Sequence, residues 1–136
     1  MTMPRELLLP GAIAGLALVA VAVGLTVAGG PGRGKVEQRD ALRIGQIETA
    51  RNHVLCLARA TGDTLPETLT DQTACDPGDS LQDPFTGAPV GYEKFDARSF
   101  QLCPALELGD DHANRAWVGG GQFDAGSGCI RYDYRP

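Results

Sequence analysis

From Leu7 to Ala28 the chain reads LLLPGAIAGLALVAVAVGLTVA, 22 residues without a charge, and nowhere later does an apolar run approach this length. A helix rising 1.5 Å per residue covers roughly 33 Å over such a run, enough to cross the hydrocarbon core of a bilayer. Residues 1–29 are therefore read as a single transmembrane anchor. Pro10 falls in the first turn of the span, where a missing N–H costs little. A cleaved signal peptide is the rival reading, because Thr26-Val27-Ala28 resembles a small-residue cleavage site. Signal peptides, however, carry a shorter apolar stretch and a more basic start than Met1 to Glu6.

After the span the periodicity changes twice. Gly29-Gly30-Pro31-Gly32-Arg33-Gly34 carries no periodic signal, and residues 30–34 read as a flexible linker. From Lys35 to Ala60, Ile44, Ile47, Val54, Leu57 and Ala58 recur at spacings of three and four. Arg39, Arg43, Gln46, Arg51 and Arg59 fall largely outside that stripe, which predicts an amphipathic helix with its apolar face toward a head. Gly62 suits the position just past the helix end, and Pro66 stops the helix from resuming. A short turn is expected over Leu65 to Leu69.

The second half has the signature of strands. Asp83-Pro84-Phe85-Thr86-Gly87 is a tight turn, and Val90 to Phe95 and Ser99 to Cys103 flank Asp96-Ala97-Arg98 as a hairpin. Gln122 to Asp124 and Cys129 to Tyr134 pair across Ala125-Gly126-Ser127-Gly128. Between the hairpins, Leu106 to Gly121 is a long loop or a distorted strand. The expected fold is α+β: residues 35–136 form a two-layer head, one helix on a sheet of three or four antiparallel strands.

Cysteine usage and charge bear on where this head sits. Cys56, Cys75, Cys103 and Cys129 all follow the span, with no C-x-x-C, as expected of two structural disulfides in an oxidising compartment. Sequence order suggests Cys56 with Cys75 and Cys103 with Cys129; the two crossed pairings stay open. The basic flank after the span (Arg33, Lys35, Arg39, Arg43) argues the opposite orientation by the positive-inside rule. The cysteines, together with Glu37, Asp40 and Glu48 among the basic residues, favour a periplasmic head on a bacterial inner membrane. Residues 33–59 hold six Lys and Arg against three Asp and Glu, whereas residues 60–136 hold five against thirteen. The basic stretch can rest on anionic membrane lipid, and the acidic head repels nucleic acid, so no nucleic-acid partner is expected.

Candidate chemistry is sparse. His53-x-x-Cys56 places an imidazole and a thiol on one helix face, but the cysteine spacings of 19, 28 and 26 residues are unlike compact zinc ligand pairs. Asp76, Asp79 and Asp83 offer hard oxygen ligands for calcium in a Pro/Gly loop, without the spacing of a calcium-binding helix–loop–helix. Gly29, Gly34 and Lys35 fit G-x-x-x-x-G-K, yet Val36 stands where a hydroxyl should hold magnesium. Asp110-Asp111-His112 lacks a partner nucleophile, and Gly126-Ser127-Gly128 is a turn. No cofactor is expected. In the span, Gly11 and Gly15 with Ala22 line one side, and Ala17, Ala20, Gly24 and Ala28 line roughly the opposite side. Small residues at such positions let membrane helices approach closely, which implies other transmembrane helices as partners.

The run Asp83-Pro84-x-Thr86-Gly87-x-Pro89-x-x-Tyr92, then Phe100-x-Leu102-Cys103-x-Ala105, then Phe123-x-x-Gly126-x-x-Cys129 resembles a pattern in a group of uncharacterised small bacterial membrane-anchored proteins. The turn and first strands are also similar to the globular domain of type II secretion pseudopilins, which implies a pilin-like head. The chain departs from pilins before its apolar run, where it lacks the glycine followed by Phe and the Glu at the fifth mature position. Resemblance carries over no catalytic residue. The expected function is a non-enzymatic accessory or assembly subunit of a larger membrane complex. A pilin-like subunit of a secretion or pilus system is the alternative, and a small periplasmic enzyme or metal-binding protein the third reading.

Overall fold

A computed structural model describes residues 5–69, 75–76, 81–117 and 119–136, without the side chains of residues 5–9 and 110. The chain divides into two units, Met1–Val36 and Glu37–Pro136.

The apolar run forms helix α1 (Arg5–Val27), and every described side chain on it, from Pro10 to Val27, is exposed. It is long and apolar enough to cross a membrane. Pro10 lies inside the helix and not at its start, because α1 begins five residues earlier at Arg5. One backbone hydrogen bond to the preceding turn is therefore missing. The break after α1 is also shorter than the linker expected over residues 30–34. Gly29 and Gly30 take φ of 79° and 71°, a left-handed backbone that glycine alone adopts freely, and helix α2 (Gly30–Ala60) starts at once. Pro31 then occupies the first turn of α2, where an N–H would have no helical acceptor in any case. Gly32, Arg33 and Gly34 are helical for the same reason: two left-handed residues complete the break, and no further coil is required.

In the Glu37–Pro136 unit, α2 buries Asp40, Arg43, Ile47, Ala50, His53, Val54, Leu57 and Ala58. The stripe has helical spacing, but Asp40 and Arg43 extend it toward the N-terminus, so Arg43 is not on the solvent face to which its charge assigned it. Gly62 takes φ of 73° and ends the helix as expected. Leu65 is buried beyond it, and Leu65 to Leu69 contains no helical turn.

Four antiparallel strands, β1 (Gly91–Lys94), β2 (Ser99–Cys103), β3 (Gln122–Asp124) and β4 (Cys129–Asp133), lie in the order β1-β2-β4-β3. Period-two alternation puts Phe100 and Leu102 of β2, and Ile130 and Tyr132 of β4, on the inner face. They are register partners: Phe100 opposite Tyr132 and Leu102 opposite Ile130, the first pair with ring centroids 5.5 Å apart. One core joins these four to Ile47, Ala50, Val54 and Ala58 of α2, closed by Leu65, Trp117 and Tyr134. The head is thus one helix on a four-stranded antiparallel sheet. Between the hairpins the chain is a loop with a short 3₁₀ turn (Gly109–His112), and Trp117 tucks in from it to stack on Phe123 at 5.9 Å. Gly121 is glycine because a Cβ there would fall 2.6 Å from both Ile130 and Tyr132.

Two disulfides staple this unit. Cys56, in the last turns of α2, pairs with Cys75, and Cys103 pairs with Cys129, one position beyond the Leu102 and Ile130 partners of β2 and β4. This is the pairing that sequence order favours.

Candidate functional site

The Asp83-Pro84-Phe85-Thr86-Gly87 turn is built by its own residues. Asp83 Oδ1 accepts the N–H groups of Phe85 and Thr86, both at 2.9 Å, while the Asp83 backbone bonds Ala88 and Gly87. Pro84 presents no N–H to be satisfied, and Gly87 closes the turn at φ of 70°. The other carboxylate oxygen, Oδ2, faces Arg43 of α2 and accepts its Nε–H at 2.6 Å. Asp83 is 8% exposed and Arg43 only 6%. The Phe85 ring lies 5.3 Å from the guanidinium and covers it.

Arg43 gathers the next loop as well. Its Nη1 donates to Glu107 Oε1 at 2.8 Å, and Arg39, one turn earlier, grips Glu107 from outside with Nε and Nη2 at 2.8 and 2.7 Å. Asp40, 1% exposed, accepts the backbone N–H groups of Glu107 and Leu108 at 3.0 and 2.8 Å. His112 Nε2 stands 3.3 Å from the same carboxylate. Two guanidinium groups and three carboxylates thus bolt the Arg39–Arg43 turn of α2 to the 83–89 turn and to the 107–112 loop. A cavity of about 50 Å³ beside Arg43, lined also by Ile47, Asp83, Pro89 and Pro104, has room for little more than water.

Electrostatics hold the carboxylates ionised. Burial works to raise Asp83, but the Arg43 guanidinium and the Phe85 and Thr86 N–H groups outweigh it and bring its pKa down to about 2. Arg39 and then Arg43 lower Glu107 to about 2. Asp40 is also lowered: burial opposes, and the Glu107 and Leu108 N–H groups, His112 and Arg43 together prevail. None of the three is poised to exchange a proton near neutrality, as general acid–base work requires; the cluster is a clamp.

A pH dependence follows. These folded-state pKa values lie below those of the unfolded chain, so the stabilisation is complete above the ordinary carboxylate range and is lost as pH falls from there toward about 2. Urea midpoints of the parent should be flat from neutral pH to about 5 and then fall. Asp83→Asn should start lower at neutral pH and show a shallower fall. An acid slope left unchanged by Asp83→Asn would remove Asp83 from this linkage.

The other expected residues are placed as follows. Cys56 is bonded to Cys75, so the pairing of His53 with a free thiol is corrected: His53 is a buried residue of α2 beside a disulfide. Of the three carboxylates weighed for calcium, Asp83 has both oxygens committed to Arg43 and the turn, Asp76 is exposed, and Asp79 lies outside the described residues. Among the described residues no group of three or more His, Cys, Asp and Glu is arranged to hold a metal ion. Gly34 and Lys35 are within α2, which removes the loop that a phosphate-binding motif needs. Gly126-Ser127-Gly128 is the β3–β4 turn, fixed by Asp124, which accepts the Gly126 N–H and the Ser127 hydroxyl. Gly11, Gly15, Ala20 and Gly24 are on α1 with exposed surroundings, and Ala28 follows its last residue.

Comparisons with protein-family models, with curated proteins and with solved structures returned no match.

Proposed function

We propose that this chain is a membrane-anchored, non-enzymatic accessory or assembly subunit of a larger bacterial membrane complex, with α1 in the inner membrane and the stapled head in the periplasm. The observation that carries this reading is α1 itself. It is an apolar helix of spanning length on which every described side chain is exposed. Such a surface needs lipid or other helices around it. The two disulfides support an oxidising side of the membrane for the head. The resemblance of the Asp83 turn and the strands after it to small membrane-anchored proteins agrees with the anchor. A pilin-like subunit is the second reading, favoured by a helix laid on a four-stranded antiparallel sheet that is entered through that turn.

The small residues of α1 supply a clean test. Beyond its own turn of backbone, a Cβ added at Gly11, Gly15 or Gly24 meets none of the described residues within 4 Å. Leucine at these positions keeps the span apolar and adds bulk only toward whatever packs against it. Gly15→Leu and Gly24→Leu should insert normally and leave the head folded. Recovery of co-purifying membrane proteins in mild detergent should fall severalfold on at least one of them. Equal recovery with both variants would reduce α1 to a passive tether and defeat the proposed helix packing.

A further inference from the structure

On the head, away from the Arg43 clamp, a cleft of about 360 Å³ is lined by Arg51, Leu55, Arg59, Gly119, Gly120, Asp133 and Arg135. We propose that it is a binding site for a phosphate-bearing ligand, held by Arg51, Arg59 and Arg135.

Three observations converge on it. The first is a concentration of positive charge. Residues 60–136 carry thirteen Asp and Glu against five Lys and Arg, so carboxylates are abundant on this head. Arg39, Arg43 and Lys94 each have one within salt-bridge distance. Among the described residues no salt bridge reaches Arg51, Arg59 or Arg135, nor Arg98, Arg115 or Arg131, but only the first three share one cleft, with Asp133 as its single carboxylate. Three arginines against one aspartate give the cleft a net positive charge, which favours an anion there.

The second is a pre-positioned donor. The Arg51 guanidinium lies over the Tyr132 ring at 5.5 Å and against the backbone of Gly119. A Cβ at Gly119 would fall 2.2 Å from Arg51 Cζ, and with φ of 78° the position is left-handed as well, so only glycine leaves this space for the guanidinium. Among the described residues its hydrogen bonding is a long 3.4 Å contact to Asn52. A planar fork held against Tyr132 and Gly119, with its donors largely unused there, has given up part of the rotamer freedom that binding would otherwise cost.

The third is placement and size. Arg51, Leu55 and Arg59 follow one another at i, i+4 and i+8 on α2, so the helix lines the cleft with two arginines, and Arg135, two residues past the end of β4, lines it as well. A volume of about 360 Å³ exceeds a bare phosphate and is in the range of pockets that take small organic ligands. Guanidinium forks match phosphate oxygens bidentately, which selects phosphate esters over halide or other simple anions. The same chemistry is offered by a soluble phosphate ester and by a phospholipid headgroup.

The test uses the full chain in nanodiscs of phosphatidylcholine, titrated with inorganic phosphate and with pyrophosphate by calorimetry. Saturable binding is expected, pyrophosphate the tighter. Arg51→Gln and Arg135→Gln should each weaken it about tenfold, the loss of one charge-assisted contact. Arg115→Gln removes the same charge outside the cleft and should leave affinity within about twofold. Thermal midpoints of all variants check folding, and the exposed Arg59→Gln keeps the site testable should Arg51→Gln be unstable. In nanodiscs containing phosphatidylglycerol, unchanged pyrophosphate affinity assigns the site to a soluble ligand, and competitive weakening assigns it to a headgroup. Absence of saturable binding, or an equal loss in Arg115→Gln, overturns the proposal. None of these outcomes depends on what packs against α1, so its failure and that of the accessory-subunit reading are separable.

Discussion

Arg43→Met should destabilise the head by about 3 to 5 kcal/mol, as much as emptying a core position. The reason is asymmetry. Arg43 is buried with Asp83 and Asp40, and it reaches Glu107 besides, so a methionine of similar length fills the space but leaves two desolvated carboxylates without their cation. Arg39→Met is the control: Arg39 holds Glu107 at the surface, where water screens the pair, and its loss should be far smaller. Adding Asp83→Asn to Arg43→Met should recover part of the deficit, since it removes one of the stranded charges. Urea unfolding of the full chain in detergent, followed through the single buried Trp117, reads all three. The Arg43→Met deficit should also shrink as pH falls through the carboxylate range, because protonation neutralises what the arginine no longer pairs. A variant as stable as the parent at neutral pH would mean that the ion cluster is ornamental and that the core alone positions the turn.

Local chemistry made most of the elements legible in advance. Phe100 and Leu102 alternate with polar neighbours, and so do Ile130 and Tyr132, which identifies β2 and β4 from their own residues. Asp, Pro and Gly mark the turn before β1 for reasons internal to five residues. The start of α2 was hidden because the Gly and Pro residues that suggest a linker are also compatible with a first helical turn. Arg43 was hidden for a different reason. Its charge assigned it to solvent, and only partners 40 and 64 residues away, Asp83 and Glu107, make burial tolerable. One signal was available: Arg43 stands four residues before Ile47 and Asp40 seven before it, in line with the apolar stripe. The basic cleft draws on α2, on the loop at Gly119 and on the segment after β4. No window along the sequence contains it.

The disulfides should carry an effect comparable to that of Arg43, and it should be separable into two halves. Cys56 and Cys75 close a loop across 19 residues, and Cys103 and Cys129 across 26. Closing loops of these lengths removes enough freedom from the unfolded chain to stabilise by about 3 kcal/mol each, and the two should differ by only a few tenths because the dependence is logarithmic. For a small head whose total stability is of the order of 5 to 15 kcal/mol, losing one is severe and losing both should leave little folded. Cys103→Ser with Cys129→Ser removes a bond between strands that already pair from Ser99 to Leu102, so the sheet register should survive in whatever remains folded. Cys56→Ser with Cys75→Ser removes a bond between the last turns of α2 and Cys75, which lies outside the four-stranded sheet. The second double variant should therefore lose local protection from amide exchange near its cysteines, while the first loses global stability without local fraying. Non-reducing peptide maps of the parent should show only the two pairs and no free thiol. Stability unaffected by a reductant would contradict both the stapling and the oxidising compartment inferred from it.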